Sequence, residues 1–391
     1  MKLTFTTLLV ILIVSTSCSY PQEQKLSFYQ KAALTMEAIY THYSVEGTPL
    51  LRETFPFDEA HRVTYLSDES QNIPRQYAFL WPFSGTFTAV VQLYDLTRNP
   101  KYYEMLQTKV LPALAMYWDT TRTPYAYSSY ITVGVSDRFY DDNVWIGIDY
   151  VDLYNITGNP FYLERAKAVW EFVMSGYSET LGGGIYWVEQ NRNTKNTCSN
   201  APGAVYAFKM YEATGDRSFF EIGKRLYHWT QYHLQADDYI YYDYIRIDGH
   251  IDRRRFTYNS GQMMQAAAIL YRLTGDTRYL VDAQNIARAS FNYFWEDYVG
   301  RDGKEFRIMR RGDTWFVAVM LRGFIELYHI DGNRTYIDSF KQNLEYAWQH
   351  ARDEYGLFTQ DFSGRRVDRR KWVLAQAGMV EMFARLAKLA D

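Results

Sequence analysis

Two adjacent aspartates, Asp141 and Asp142, sit in the segment Arg138-Phe139-Tyr140-Asp141-Asp142-Asn143-Val144-Trp145, directly ahead of the apolar Ile146, Ile148 and Val151. One carboxylate at the start of a helix is ordinary capping, helped by the helix dipole. A second beside it repels the first, so capping alone does not account for the pair. Like charges held close push their proton affinities apart, leaving one ionised as a nucleophile and the other protonated as a general acid. Glycoside hydrolysis uses that division of labour. Retaining enzymes hold the two carboxyl groups roughly 5 Å apart, a span that successive residues reach with diverging rotamers.

Other residues have types suited to the same cleft. Tyr140 and Asn143 flank the pair, and Trp187 follows the glycine-rich run Leu181-Gly182-Gly183-Gly184-Ile185-Tyr186. Asn196 and Asn200 lie in Lys195-Asn196-Thr197-Cys198-Ser199-Asn200, Tyr258 and Asn259 follow Phe256-Thr257, and Asp313 and Trp315 lie in Arg311-Gly312-Asp313-Thr314-Trp315-Phe316. Each cluster alone reads as capping. Brought to one axis, they offer amides for hydroxyl groups and aromatic faces for sugar rings, and the chain's 36 Tyr and 10 Trp fit that use. The glycine run lacks the Lys-Ser/Thr of a phosphate loop, so it is read as a turn that sets Trp187 over the cleft. The seven His show no ligand spacing, with His228 and His233 on different helix faces, so neither a metal nor a cofactor is expected. No serine nucleophile elbow occurs. Arg253-Arg254-Arg255 and Arg365-Arg366 read as solvated ion-pair clusters, with an anionic substrate contact as the sharper alternative.

What positions these residues is a repeat. Five segments share one pattern, typified by Leu153-Tyr154-Asn155-Ile156-Thr157-Gly158-Asn159, and their tyrosines (Tyr94, Tyr154, Tyr211, Tyr271, Tyr328) stand 60, 57, 60 and 57 residues apart. Each reads as a helix end, a left-handed glycine and an Asn or Asp capping the next helix. With a helix from Leu26 to Tyr43 and another from Lys371 to Ala390, this predicts twelve helices in six pairs. The unpaired first and last helices complete a sixth hairpin, and small residues such as Ala266, Ala267 and Ala268 suit crowding round an axis. The fold class is therefore all-α, an (α/α)6 barrel or toroid of six helical hairpins in a single domain. The hairpin turns are short. The connections on the other side are long, as in Ser178 to Ser199 and Gln235 to Tyr258, and feed the starts of the inner helices, where the site is expected.

The net charge of −3 gives no reason to expect nucleic acid or an anionic membrane surface as a partner. Lys2, the apolar run Leu8 to Val14 and Ser15-Thr16-Ser17-Cys18 resemble a bacterial lipoprotein signal. The expected organisation is a signal over 1–18, a tether over 19–25 and the barrel over 26–391. Cys18 would be lipidated and the protein anchored at the cell envelope, touching membrane only through that lipid. Cys198 then remains without a disulfide partner, and a monomer is expected.

Four motifs in order give a resemblance to a known family. Tyr140-Asp141-Asp142-Asn143, Gly182 to Trp187, Lys195 to Asn200 and Phe256-Thr257-Tyr258-Asn259 before an alanine-rich helix resemble glycoside hydrolase family 76, the endo-α-1,6-mannanases. The resemblance implies hydrolysis of α-1,6-linked mannose backbones with retention. It also implies Asp141 as nucleophile and Asp142 as acid/base. Ile146 stands where a second aromatic is common in that family, and Cys198 interrupts the Asn-rich motif. Transglycosylation or cleavage of another glycan on the same toroid, and a non-catalytic glycan-binding lipoprotein, are the competing readings.

Overall fold

The computed structural model describes residues 26–58, 76–131 and 136–389; the expected signal, Cys18 and the tether lie outside them. The repeated segments form one device. The N–H groups of Arg98, Gly158, Gly215, Gly275 and Gly332 donate to the carbonyls of Tyr94, Tyr154, Tyr211, Tyr271 and Tyr328, closing five helices at 2.7–2.9 Å. The four glycines turn left-handed at φ of 68–74°, a region they enter without a Cβ clash. Arg98 fills the same position at φ 52° in the first copy. Asn99, Asn159, Asp216, Asp276 and Asn333 then cap the following helices through their side-chain oxygens.

Twelve helices follow among the described residues. They are α1 (Phe28–Tyr43), α2 (Leu80–Thr97), α3 (Pro100–Met105, through a π-helical turn Leu106–Val110, into Leu111–Met116) and α4 (Tyr140–Thr157). Next come α5 (Pro160–Ser175), α6 (Thr197–Thr214), α7 (Arg217–Leu234) and α8 (Thr257–Thr274). The series ends with α9 (Thr277–Phe294), α10 (Thr314–Asp331), α11 (Arg334–His350) and α12 (Val373–Lys388). The even-numbered helices form an inner ring, each touching the next, with α12 returning to α2. Each odd-numbered helix from α3 to α11 lies outside the inner helix it follows, and α1 packs on α12 as the sixth pair. This is the (α/α)6 barrel the repeat predicted.

Burial follows the layers. The inner α2 is buried continuously from Pro82 to Leu93, whereas the outer α7 buries one stripe of Ile222, Leu226, Tyr227, Trp229, Thr230 and Leu234. Inner neighbours approach to backbone contact. A Cβ on Gly261 of α8 would lie 2.3 Å from Met320 Cα, and one on Gly323 of α10 would lie 2.3 Å from the Gly261 carbonyl oxygen. The ring is stapled by Glu53, which accepts from Phe79 N–H at 3.0 Å and Trp372 Nε1 at 3.2 Å, tying the starts of α2 and α12.

The long connections contain strand pairs that helical periodicity did not reveal. Tyr242–Arg246 pairs with Ile251–Arg255 and with Thr194–Asn196, and Trp295–Val299 pairs with Glu305–Met309. Lys371–Trp372, expected as the first residues of the last helix, is instead a short strand against Thr54–Phe55. The first helix likewise starts at Phe28, with Ser27 as its cap in a capping box, rather than at Leu26.

Further down the axis lies a buried charge cluster. Arg322 of α10 donates to Glu381 of α12 at 2.6 and 2.9 Å, and Arg385 adds a third bond at 2.7 Å. Asp149 of α4, 1% exposed, accepts from Thr88 at 2.6 Å. Burial pushes the Asp149 carboxyl up to about 7 despite the nearby Arg322. Its folded pKa therefore exceeds the unfolded value, and the folded chain retains a proton that the unfolded chain has released. The stability from this group is complete below about pH 4 and is lost as pH rises through about 7. Asp149→Asn keeps an acceptor for Thr88 and should raise Tm at pH 8 while flattening the decline of Tm between about pH 5 and 8. Thermal melts across that range check this, and an unchanged slope in the variant would contradict it.

Candidate active site

A cleft of about 440 Å³ opens at the starts of the inner helices, lined by Asp141, Asp142, Trp187, Asn196, Tyr258 and Trp315 among others. The start of α4 is held from behind. Tyr140 N–H donates to Trp187 O at 2.9 Å, and fully buried Arg138 pairs with Glu189 through Nε at 2.8 Å. Arg138 thus turns its charge away from the aspartates that follow it by three and four residues.

The two aspartates have different surroundings. Asp141 Oδ2 accepts from Trp187 Nε1 at 3.1 Å and from Cys198 Sγ at 3.2 Å, while Oδ1 accepts the Asp142 N–H at 3.1 Å. Asp142 is 8% exposed, and no side-chain hydrogen bond to it occurs among the described residues. Burial raises Asp141 to about 6, and the Cys198, Trp187 and Asp142 donors hold it from going higher. Burial first, and then the neighbouring Asp141 charge, push Asp142 well above the ordinary carboxylate range. The two surroundings thus favour a proton on Asp142 over one on Asp141. No ion pair of the described residues involves either carboxyl, and no group of three His, Cys, Asp or Glu among them is arranged to hold a metal ion.

Aromatic rings form the walls. Tyr258 stacks on Phe316 at 3.9 Å and an interplanar angle of 3°. Trp145 meets Trp315 edge-on at 5.1 Å, and Trp81 lies 5.8 Å from both Trp315 and Phe316. Asn196 Oδ1 and Trp315 Nε1 are buried and have no partner among the described residues, which leaves an acceptor and a donor on residues that line the cleft.

Five other expected site residues stand outside this lining. Tyr140 is fully buried against Phe172, with ring centroids 4.7 Å apart. Asn143 clamps Tyr127, accepting its N–H at 2.8 Å and donating to its carbonyl at 3.0 Å and to Phe139 O at 2.9 Å. Asn200 does the same for Ile185, at 2.7 and 2.9 Å, and donates to Asn196 O at 2.8 Å. Gln376, also the fourth residue of its inner helix, clamps Phe358 at 2.7 and 3.0 Å. Asn259 is 1% exposed and lies beside Asp243, whose carboxyl it holds lower. Asp313 caps α10, accepting from Trp315 N–H at 2.9 Å.

Conversely, the cleft contains a third carboxylate that sequence reasoning missed. Asp243 lies on the strand Tyr242–Arg246, where the ladder register shifts between Tyr242 and Tyr244, an irregularity that re-aims side chains. Burial raises its carboxyl to about 6 against the lowering influence of Arg254, whose Nη2 sits 3.1 Å from Asp243 Oδ2. Arg254, read from sequence as part of a solvated cluster, is ion-paired as that reading expects and also lines the cleft. The only sequence signal for Asp243 was its place in a long connection feeding an inner helix.

Fold and cleft together define the class: an (α/α)6 toroid with an acidic, aromatic-walled cleft at the N-terminal ends of its inner helices. Residues 57–305, more than half of the chain, match glycosyl hydrolase family 76. The chain belongs to that family. A family 76 mannosidase of Bacteroides thetaiotaomicron VPI-5482 is 31% identical, with 93% of this chain and 98% of that one covered and a TM-score of 0.84. An inactive α-1,6-mannanase variant of Salegentibacter sp. HEL1_6, solved with α-1,6-mannotetrose, shares the fold at 22% identity, with 93% of this chain and 100% of that one covered and a TM-score of 0.75. A mannan endo-1,6-alpha-mannosidase of Saccharomyces cerevisiae is 26% identical over 239 residues, 56% of this chain and 50% of that protein. The chain thus spans about half the length of the curated relatives it matches.

Removing a clamp should cost stability. Asn200→Ala leaves the Ile185 N–H and carbonyl buried without partners, so chemical denaturation should show a loss of about 3 kcal/mol. A loss below about 1 kcal/mol would mean that water replaces the amide at little cost.

Proposed function

We propose that this protein is a retaining glycoside hydrolase that cleaves α-1,6-mannosidic linkages in α-mannan. The observation that carries the reading is the Asp141–Asp142 pair, whose two carboxyls share one cleft and hold their protons with different strength. The Saccharomyces cerevisiae relative named a mannan endo-1,6-alpha-mannosidase and the family 76 mannosidase of Bacteroides support mannan as the substrate.

In this mechanism the Asp141 carboxylate attacks the anomeric carbon as the glycosidic C–O bond breaks, and the Asp142 proton passes to the leaving oxygen. Asp142, now a carboxylate, takes a proton from water. The resulting hydroxide equivalent attacks the anomeric carbon, releasing Asp141 and restoring the proton on Asp142. Two inversions at one carbon give net retention. Trp187 Nε1 steadies Asp141 throughout, and the Tyr258, Phe316 and Trp81 rings offer apolar surface to pyranose C–H groups.

Linear α-1,6-mannan should release oligosaccharides with the wild-type protein. Asp141→Asn and Asp142→Asn should each lower the rate by about a thousandfold or more. The first-formed product, followed by NMR, should be the α-anomer. Because Asp141 must be ionised and Asp142 protonated, the rate should fall as pH drops through about 6 and fall again in alkali as Asp142 loses its proton, with both limbs belonging to the coupled pair. Equal product from both variants, or a β-anomer formed first, defeats the paired-aspartate mechanism. Silence from all three proteins favours a glycan binder or another glycan.

The export signal suggested by Leu8 to Cys18 belongs to the same proposal, with the protein lipid-anchored at the cell envelope through Cys18. The expected result is recovery in the detergent-extractable membrane fraction, abolished by Cys18→Ser. Identical fractionation of the two proteins would exclude the anchor.

A further inference from the structure

We propose that Cys198 is a positioning residue for the attacking carboxylate: its thiol and the Trp187 indole together hold one oxygen of Asp141 in a fixed orientation and tune its reactivity. The inference rests on the reading of Asp141 as nucleophile. Cys198 is the second residue of α6 and is 3% exposed. Its Sγ lies 3.2 Å from Asp141 Oδ2, the oxygen that also accepts Trp187 Nε1 at 3.1 Å. The two donors arrive from different elements, one from the connection that crosses the cleft and one from an inner helix. Their convergence on a single atom fixes the carboxylate's rotation, while Oδ1 is steadied only by the neighbouring Asp142 N–H.

The charge around the thiol keeps it a donor. A thiol in the first turn of a helix is ordinarily acidified. Here burial, followed by the Asp141 and Asp243 charges, raises Cys198 well above its usual value, with Tyr258 acting in the opposite sense. The groups facing the site are Asp141 and Asp142 from α4, Asp243 and Arg254 from the hairpin, and Tyr258 from α8. The one cation among them, Arg254, is paired with Asp243 and Asp252. Cys198 is thus held as S–H, neither a nucleophile nor an exposed redox centre. A thiol donates more weakly than a hydroxyl. A weak donor fixes the direction of the carboxylate while leaving more of its basicity for attack.

Two substitutions of Cys198 should act with opposite signs. Cys198→Ala removes a donor to the ionised form and should move the acidic limb of the pH–rate profile on α-1,6-mannan to higher pH. Cys198→Ser supplies a stronger donor and should move it to lower pH, each shift being about half a unit. A packing role would not move the limb in opposite directions. The S–H stretching band in the infrared tests the contact without any turnover, in protein carrying Cys18→Ser so that Cys198 is the only thiol. The band should rise in frequency as Asp141 is protonated below about pH 6, and should rise at all pH values in Asp141→Ala. A band unmoved by both pH and Asp141→Ala overturns the proposal, as does a limb that alanine and serine shift in the same direction or not at all. If the wild type leaves mannan intact, the substrate reading fails and the infrared band alone decides the role of Cys198.

Discussion

The structure depends on keeping two carboxyl groups side by side in a poorly solvated cleft with no cation to neutralise them. In low dielectric a nearby guanidinium would pull both aspartates toward the ionised state and erase the difference between them. The chain carries many arginines, and the nearest in sequence is Arg138. Its side chain runs back behind α4 to Glu189 at 2.8 Å and Asp119 at 3.5 Å. Arg254 reaches the cleft but is engaged by Asp243 and Asp252. The hydrogen-bond donors to the aspartates are uncharged: an indole N–H, a thiol and a backbone N–H, all of them on Asp141. The asymmetry of the pair follows from that unequal supply of donors.

Ring closure supplies the place where such an arrangement can exist. Six inner helices begin at one end of the axis, and their short hairpin turns occupy the other end, so long connections accumulate only over the helix starts. Loops of that length would ordinarily be loose. Here the fourth residues of α4, α6 and α12, namely Asn143, Asn200 and Gln376, each pair with both the N–H and the carbonyl of one residue in the connection behind them. An amide is the one side-chain group that completes such a backbone-like pair. The connection bearing Trp187 is fixed this way at Ile185, two residues before the indole that steadies Asp141.

The helical frame was legible because the signal is local chemistry. A carbonyl at Tyr, a left-handed Gly and a capping Asn or Asp form one turn within seven residues, and such turns read directly from sequence. The aspartate pair was visible because adjacent like charges are unusual where one would suffice. Sorting their neighbours was harder. Tyr140 and Asn143 adjoin the pair in sequence, but each residue turns about 100° round a helix, so side chains flanking a cleft-facing pair point into the wall. Asn200 and Asn196 look equivalent in the sequence, and only Asn196 lines the cleft. Asp243 was invisible for a different reason, since its direction is set by a register shift in a hairpin that helical periodicity does not report.

The lower axis shows the opposite electrostatic solution. Arg322 and Glu381 are both buried and form a two-bond ion pair, so a full positive charge lies within the same barrel as Asp141 and Asp142. Trp145 touches both zones: it lines the cleft, and the Arg322 guanidinium lies 5.5 Å from its ring centroid. The indole face attracts the cation, and Glu381 neutralises it at short range. Trp145 is also braced edge-on by Trp315 at 5.1 Å, so the floor of the cleft cannot tilt without disturbing the wall. The barrel therefore holds a neutralised pair, which packs the core, and an unneutralised pair, which faces the cleft, with Trp145 in contact with both zones.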